Sequence, residues 1–227
     1  MFIDFTVKQF FCVSHALAIM ISFYNNDFSS ICKEVGESYG ASADDIKNAC
    51  AILTAINVTA PVKKTHDKLS DILFTVLHNS EDLYRQDGNT PYKYKYRVTM
   101  DASSWKTLVD ALDVYSRILM GQFSIIYEEL DISGDDEIHL RANHDARWYG
   151  VGVQEARDLL IPQLKKLGVG WNGNFGISNS ELAYNSKLSY EILKTIRYAC
   201  DGRDSIVLHV TDEPLPTVIG GKQIKAL

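Results

Sequence analysis

Apolar residues recur along most of the chain with the three-to-four-residue spacing of helices buried on one face. Thr6-Val-Lys-Gln9 reads as a capping box, in which Thr6 caps a helix start and Gln9 reaches back. The run that follows is apolar nearly all round, so it predicts a helix central to its domain. Asn25-Asn26-Asp27 halts it after Tyr24. A second short helix is expected over Phe28 to Val35. Ser42-Ala-Asp-Asp45 opens a third, with Ile46, Ala49, Cys50, Leu53 and Ile56 on its apolar face and two acids suiting the helix dipole. Pro61 ends it, and Lys68 to Leu77 predicts a fourth.

The period changes to two at Tyr92 to Met100, where large apolar and polar residues alternate as in a strand. Asp101 or Ser103 then caps a long helix with Trp105, Leu108, Val109, Leu112, Tyr115, Ile118 and Leu119 on one face. Gly121 breaks it, and Gln122 to Leu130 continues as a second piece. Val153 to Leu167 predicts a helix stopped by Lys165, Lys166 and Gly168. Ser186 to Cys200 predicts another, and Ser205 to Val210 a strand. Pro214 and Pro216 start a tail expected at the periphery. The fold class is therefore α+β, predominantly helical with a few short strands. Asp87-Gly-Asn-Thr-Pro91 is the strongest turn signal. It predicts a joint between a helical N-terminal segment, 1–86, and an α+β domain, 92–227.

Composition narrows the function classes. The 227 residues carry 23 Lys+Arg and 29 Asp+Glu, a net charge of -6. That balance excludes general affinity for nucleic acid or anionic membrane, which needs concentrated basic residues. The four cysteines, Cys12, Cys32, Cys50 and Cys200, show no C-x-x-C spacing, so a reducing, cytoplasmic compartment is expected. In a phage-encoded protein that is the host cytoplasm. Phe10 to Ile21 is apolar but interrupted by Ser14 and His15 and short for a bilayer span, so it reads as a buried helix rather than a signal peptide.

Three patterns fail their contextual tests. Gly168-Val-Gly-Trp-Asn-Gly173 spells G-x-G-x-x-G, but a helix precedes it and loop follows, so no dinucleotide cofactor is expected. Asp131, Ser133 and Asp135 mimic a calcium loop, yet Asp136 stands where glycine is required and Ala142 where glutamate is. His139 and His144 have neither helical-face nor zinc-motif spacing, so no metal is expected. The run from Glu128 to Glu137 reads as a solvated loop.

Cys12 invites a chemical reading. A thiolate near a helix start is stabilised by the helix N-terminus, and Gln9 one turn earlier can donate to an oxyanion. With Ala16-Leu-Ala-Ile-Met20, Tyr39-Gly-Ala-Ser42 and Leu53, this stretch resembles the first lobe of bacteriocin-processing, papain-like cysteine peptidases over about the first 60 residues. The resemblance implies Cys12 as nucleophile with a histidine from elsewhere, for which His78, His139 and His209 are available. Phe11 and Val13 flank Cys12 where that family usually has Gly or Asp. His15 is expected to pack inside.

A second resemblance covers about Tyr96 to Arg203. Val98-Thr-Met100, the Ala111-Leu-Asp-Val-Tyr-Ser-Arg-Ile-Leu-Met-Gly-Gln-Phe123 core and Tyr190 to Arg197 resemble a family of phage and bacterial proteins with no assigned activity. It implies a phage or mobile-element origin. The chemistry within that core favours binding: Tyr115, Arg117, Gln122, Trp171, Asn174 and Arg197 are the candidate ligand residues. Arginines in apolar helices must be paired or meet an anion. Their ordinary alternative is an internal pair with a carboxylate such as Asp113 or Glu128. No general base stands beside them. The expected function is a non-enzymatic accessory protein. Its partner is a host protein or a small anionic ligand such as a nucleotide, and self-association into a homo-oligomer stays open. The alternative is a cysteine hydrolase using Cys12 and Gln9.

Overall fold

The computed structural model describes residues 1–59, 62, 67–79, 81–82, 96–130, 139–169, 173–202, 206–221 and 225–226. Among these, 67% are helical, and the fold is α+β as expected. The expected joint at Asp87–Pro91 lies outside the described residues, as does Trp171. The chain forms two compact units that interleave in sequence. Unit 1 is Met1–Ala18, Asp67–Ser116 and Tyr184–Leu227; unit 2 is Ile19–His66 and Arg117–Ala183.

Unit 1 is built on an antiparallel sheet. Strand β1 (Phe2–Phe5) runs into helix α1 (Val7–Tyr24), which the unit boundary divides. β1 pairs with β3 (Tyr96–Thr99), and β3 with the two-residue edge β2 (Glu81–Asp82). On its other side β1 pairs with β5 (Thr217–Ile219), giving the order β2-β3-β1-β5. Asp4 stands directly across from Arg97 in this register, and the guanidinium grips the carboxylate at 2.7 and 2.8 Å. Asp4 is largely buried, so the charge-assisted pair satisfies a group that could not otherwise sit there. Helices α4 (Asp67–His78), the first part of α5 (Ala102–Leu119) and α9 (Tyr184–Asp201) complete the unit. Ile3, Val98, Trp105, Ile192, Ile196 and Val218 are among its fully or almost fully buried residues.

The capping box forms as expected: Thr6 N–H donates to Gln9 Oε1 at 2.9 Å, and Gln9 N–H to Thr6 Oγ1 at 3.2 Å. Asp101 caps α5 by accepting from Ser104 N–H at 2.8 Å. By length and composition α1 could cross a membrane, yet 56% of that stretch is buried inside the protein. The expectation of a peripheral tail is corrected. β5 carries the buried Val218 against β1, Pro214 O accepts from the Gln9 amide, and Thr6 Oγ1 donates to Glu213. Of the strand expected over Ser205–Val210, only β4 (Ile206–Val207) is a strand among the described residues, paired parallel to β6 (Lys225–Ala226).

Unit 2 is helical: α2 (Ser29–Tyr39), α3 (Ala43–Thr59), α6 (Ser124–Glu129), α7 (His139–Leu160) and α8 (Pro162–Lys166). The single helix expected over Val153–Leu167 is two. Ile161 is pushed out of helical backbone by the following Pro162, which starts α8 at its first position. α7 also begins earlier, at His139. Gly121 ends α5 at φ +86°, and a Cβ there would lie 2.3 Å from Leu164 Cδ1. α2 and α3 form a hairpin turned at Gly40, with a close approach at Gly36, where a Cβ would lie 2.3 Å from Ile46 Cγ1.

Tyr39 ties this unit together. Its hydroxyl donates to Leu119 O and accepts from Ala183 N–H at 3.3 Å, and its ring stacks on Phe175 at 5.3 Å. Burial pushes its pKa up to about 12. An unfolded tyrosine titrates near 10, so stability that depends on neutral Tyr39 is complete below about pH 10 and is lost as pH rises to about 12. Tyr39→Phe is expected to cost about 1–2 kcal/mol at pH 7 through the lost hydrogen bonds. The gap to the wild type should close above pH 10. Urea unfolding of both proteins at pH 7, 10 and 11 checks this, and a constant gap would refute it.

Candidate functional site

In unit 1, α5 and the last turn of α9 enclose a groove of about 460 Å³. Ala102, Lys106, Val109 and Asp110 follow the helical period, so they form one stripe along α5. Arg197, Cys200 and Asp201 line the groove from α9, again at helical spacing. Lys106 and Asp110 are exposed, and Arg197 keeps 22% of its side chain accessible. Arg197 Nη2 lies 3.7 Å from Asp113 Oδ1. The groove presents both signs, with Lys106 and Arg197 set among Asp110 and Asp201.

No family model, curated protein or solved structure matches the chain. The site is therefore judged on its own chemistry.

Of the residues singled out from sequence, the groove contains Arg197. Tyr115 is in the same unit but fully buried, and Trp171 is not described. Arg117, Gln122 and Asn174 belong to unit 2. Arg117 Nε donates to Gln122 Oε1 at 3.2 Å, and Nη2 lies 3.4 Å from Glu128 Oε1, so the expected internal pair forms there. Asn174 is exposed, and its Oδ1 accepts from Gly176 N–H at 2.8 Å. Lys106, Asp110 and Asp201 were not legible as site residues. Each is an ordinary exposed charge until α5 and α9 are placed side by side.

A second groove in unit 1, of about 440 Å³, contains Cys12. His15, Lys8 and Phe11 line it from α1, and Tyr184 and Asn185 from α9. His15 was expected to pack inside, but it is exposed at this groove, because position 15 falls on the outer face of α1. The buried Cys12 thiol donates to Asn185 O at 3.9 Å. Gln9 is fully buried, and its amide is taken by Thr6 N–H and Pro214 O. Of the histidines named for Cys12, His78 meets the Phe74 ring at a tilt and His209 Nε2 meets Glu213 O; the side chain of His139 lies outside the described residues. Lys8 bridges to Glu213 at 2.9 Å, and this bond is the main reason its pKa is raised. Burial, aided by the bond to Asp212, pushes Tyr184 up to about 12. Among the described residues, no group of three or more His, Cys, Asp or Glu is placed to hold a metal ion.

Proposed function

We propose that the chain is a non-enzymatic binding protein whose α5–α9 groove takes a small anionic ligand. The observation that carries this reading is that Arg197 and Lys106 line one groove from two different helices. Two cations answer a carboxylate or phosphate, and Arg197 offers the planar donor fork suited to either. Asp110 and Asp201 disfavour a polyanion and favour a ligand that also carries a donor group, as a nucleotide does through its base. The resemblance of residues 96–203 to phage proteins supports an accessory role in the host cytoplasm. The cysteine-hydrolase reading draws on Cys12 and His15 sharing a groove, but the Gln9 amide meant for an oxyanion is already engaged.

Calorimetric titration with adenosine monophosphate tests the proposal, since that probe joins a phosphate to an amino donor. Arg197→Ala should weaken binding about tenfold or more, from the 1.5–3 kcal/mol of a hydrogen bond to a charged group. Arg117→Ala should leave it unchanged. No saturable binding by the wild type, or equal binding by Arg197→Ala, would overturn it.

A further inference from the structure

The α2–α3 hairpin of unit 2 brings two cysteines together. Cys32 lies on α2 and is fully buried; Cys50 lies on α3 and is half-buried. Cys50 stands near enough to Cys32 to disfavour its thiolate. The packing of the hairpin explains the meeting. Gly36 and Ile46 mark the closest approach of the two helices, Cys32 sits one turn before Gly36, and Cys50 one turn after Ile46. In an antiparallel pair these positions face each other. Cys50 also lines a largely apolar groove of about 640 Å³ with Ser29, Ile46 and Lys47, so a small solute reaches it and not Cys32.

We propose that Cys32 and Cys50 form a peroxide-oxidisable dithiol, with Cys50 as the entry thiol and Cys32 as the resolving one. The Cys50 thiolate attacks one oxygen of hydrogen peroxide. The sulfur–oxygen bond forms, the peroxide bond breaks, and hydroxide leaves to take up the thiol proton as water. The Cys32 sulfur then attacks the sulfenic sulfur. The disulfide forms, the sulfur–oxygen bond breaks, and the departing hydroxide carries off the Cys32 proton as a second water. In total two thiols are oxidised and one peroxide is reduced to two waters. The order follows from access. Burial and the neighbouring Cys50 push the Cys32 thiol far up, which leaves it a poor first nucleophile. Closure draws the sulfurs to about 2.05 Å, a movement asked of two side chains on facing turns of one hairpin. The bridge ties α2 to α3 and removes a thiol from the groove wall.

The test treats the full chain with hydrogen peroxide, alkylates remaining thiols and maps peptides without reduction. The expected product is a peptide pair joined through Cys32 and Cys50 and released by dithiothreitol. Cys50→Ser should abolish the pair and leave Cys32 alkylatable after unfolding. Cys32→Ser should stop Cys50 at a sulfenic acid that dimedone traps. The wild-type map needs no variant, so a poorly folding Cys32→Ser protein does not blunt it. Cys50 advancing to sulfinic acid without a bridge in the wild type, or both thiols surviving while Cys200 is oxidised, would overturn the proposal.

Discussion

Replacing Glu191 with alanine is expected to remove about 4 kcal/mol from the folding stability of unit 1, from several polar groups losing about 1–3 kcal/mol each. Glu191 lies on α9 and is fully buried. Its Oε1 accepts from Val210 N–H and Thr211 N–H, and its Oε2 from the Thr211 hydroxyl at 2.6 Å. These bonds fasten the segment that leads into β5. Alanine would leave two backbone donors and one hydroxyl at half-buried positions without their acceptor. Domains of ordinary stability have about 5–15 kcal/mol in total, so the loss is a large share. Glu191→Gln keeps one carbonyl acceptor and should lose about half as much. Urea midpoints measure the size, and hydrogen exchange at the amides of Val210 and Thr211 shows the place. A midpoint for Glu191→Ala within about 1 kcal/mol of wild type would mean that water or a rearranged loop replaces the carboxylate.

Arg157→Ala is expected to cost unit 2 about 3–5 kcal/mol, the usual result of breaking a buried ion pair from one side. The Arg157 side chain is fully buried on α7. Its Nε donates to Asp158 Oδ1 at 3.1 Å, and Nη2 donates to the same oxygen and to Val169 O, each at 2.6 Å. It thus links α7 to the chain leaving α8. Lysine at 157 would keep the charge but not the several nitrogens that make these bonds, and should recover less than half of the loss. A second substitution, Asp158→Asn, should relieve part of the alanine defect by removing the stranded carboxylate. Thermal unfolding of the two single variants and the double variant gives the coupling. Additive effects would show that the pair contributes little.

Most helices were legible because their signals are local. The Thr6–Gln9 box, the Asp101 cap and the Gly121 stop act within a few residues, and each lies where the pattern places it. Helix α2 runs on to Tyr39 because Gly36 is used for close packing rather than as a stop. The strands were harder. β1 holds only four residues, and Asp4 interrupts its apolar character. What makes it a strand is Arg97 and Val218, from distant parts of the chain. Nothing near Glu191 or Arg157 in the sequence announces their burial, since partners of both come from loops. Arg197 was legible as a candidate because a charge in a largely apolar helix needs an answer, while the acids and lysine around it became a site only through the pairing of α5 with α9.

The position of β1 between β3 and β5 has a consequence for biosynthesis. Ile3 pairs with both Val98 and Val218, so the earliest strand of this sheet is flanked on one side by the sheet's latest. At ribosomal rates of about 5–20 residues per second, β1 waits on the order of ten to forty seconds for that neighbour. Through that interval one edge of Phe2–Phe5 offers unmet backbone groups and apolar side chains to any other nascent chain nearby. Cotranslational folding of this sheet is therefore a matter of keeping its oldest strand protected until its youngest emerges.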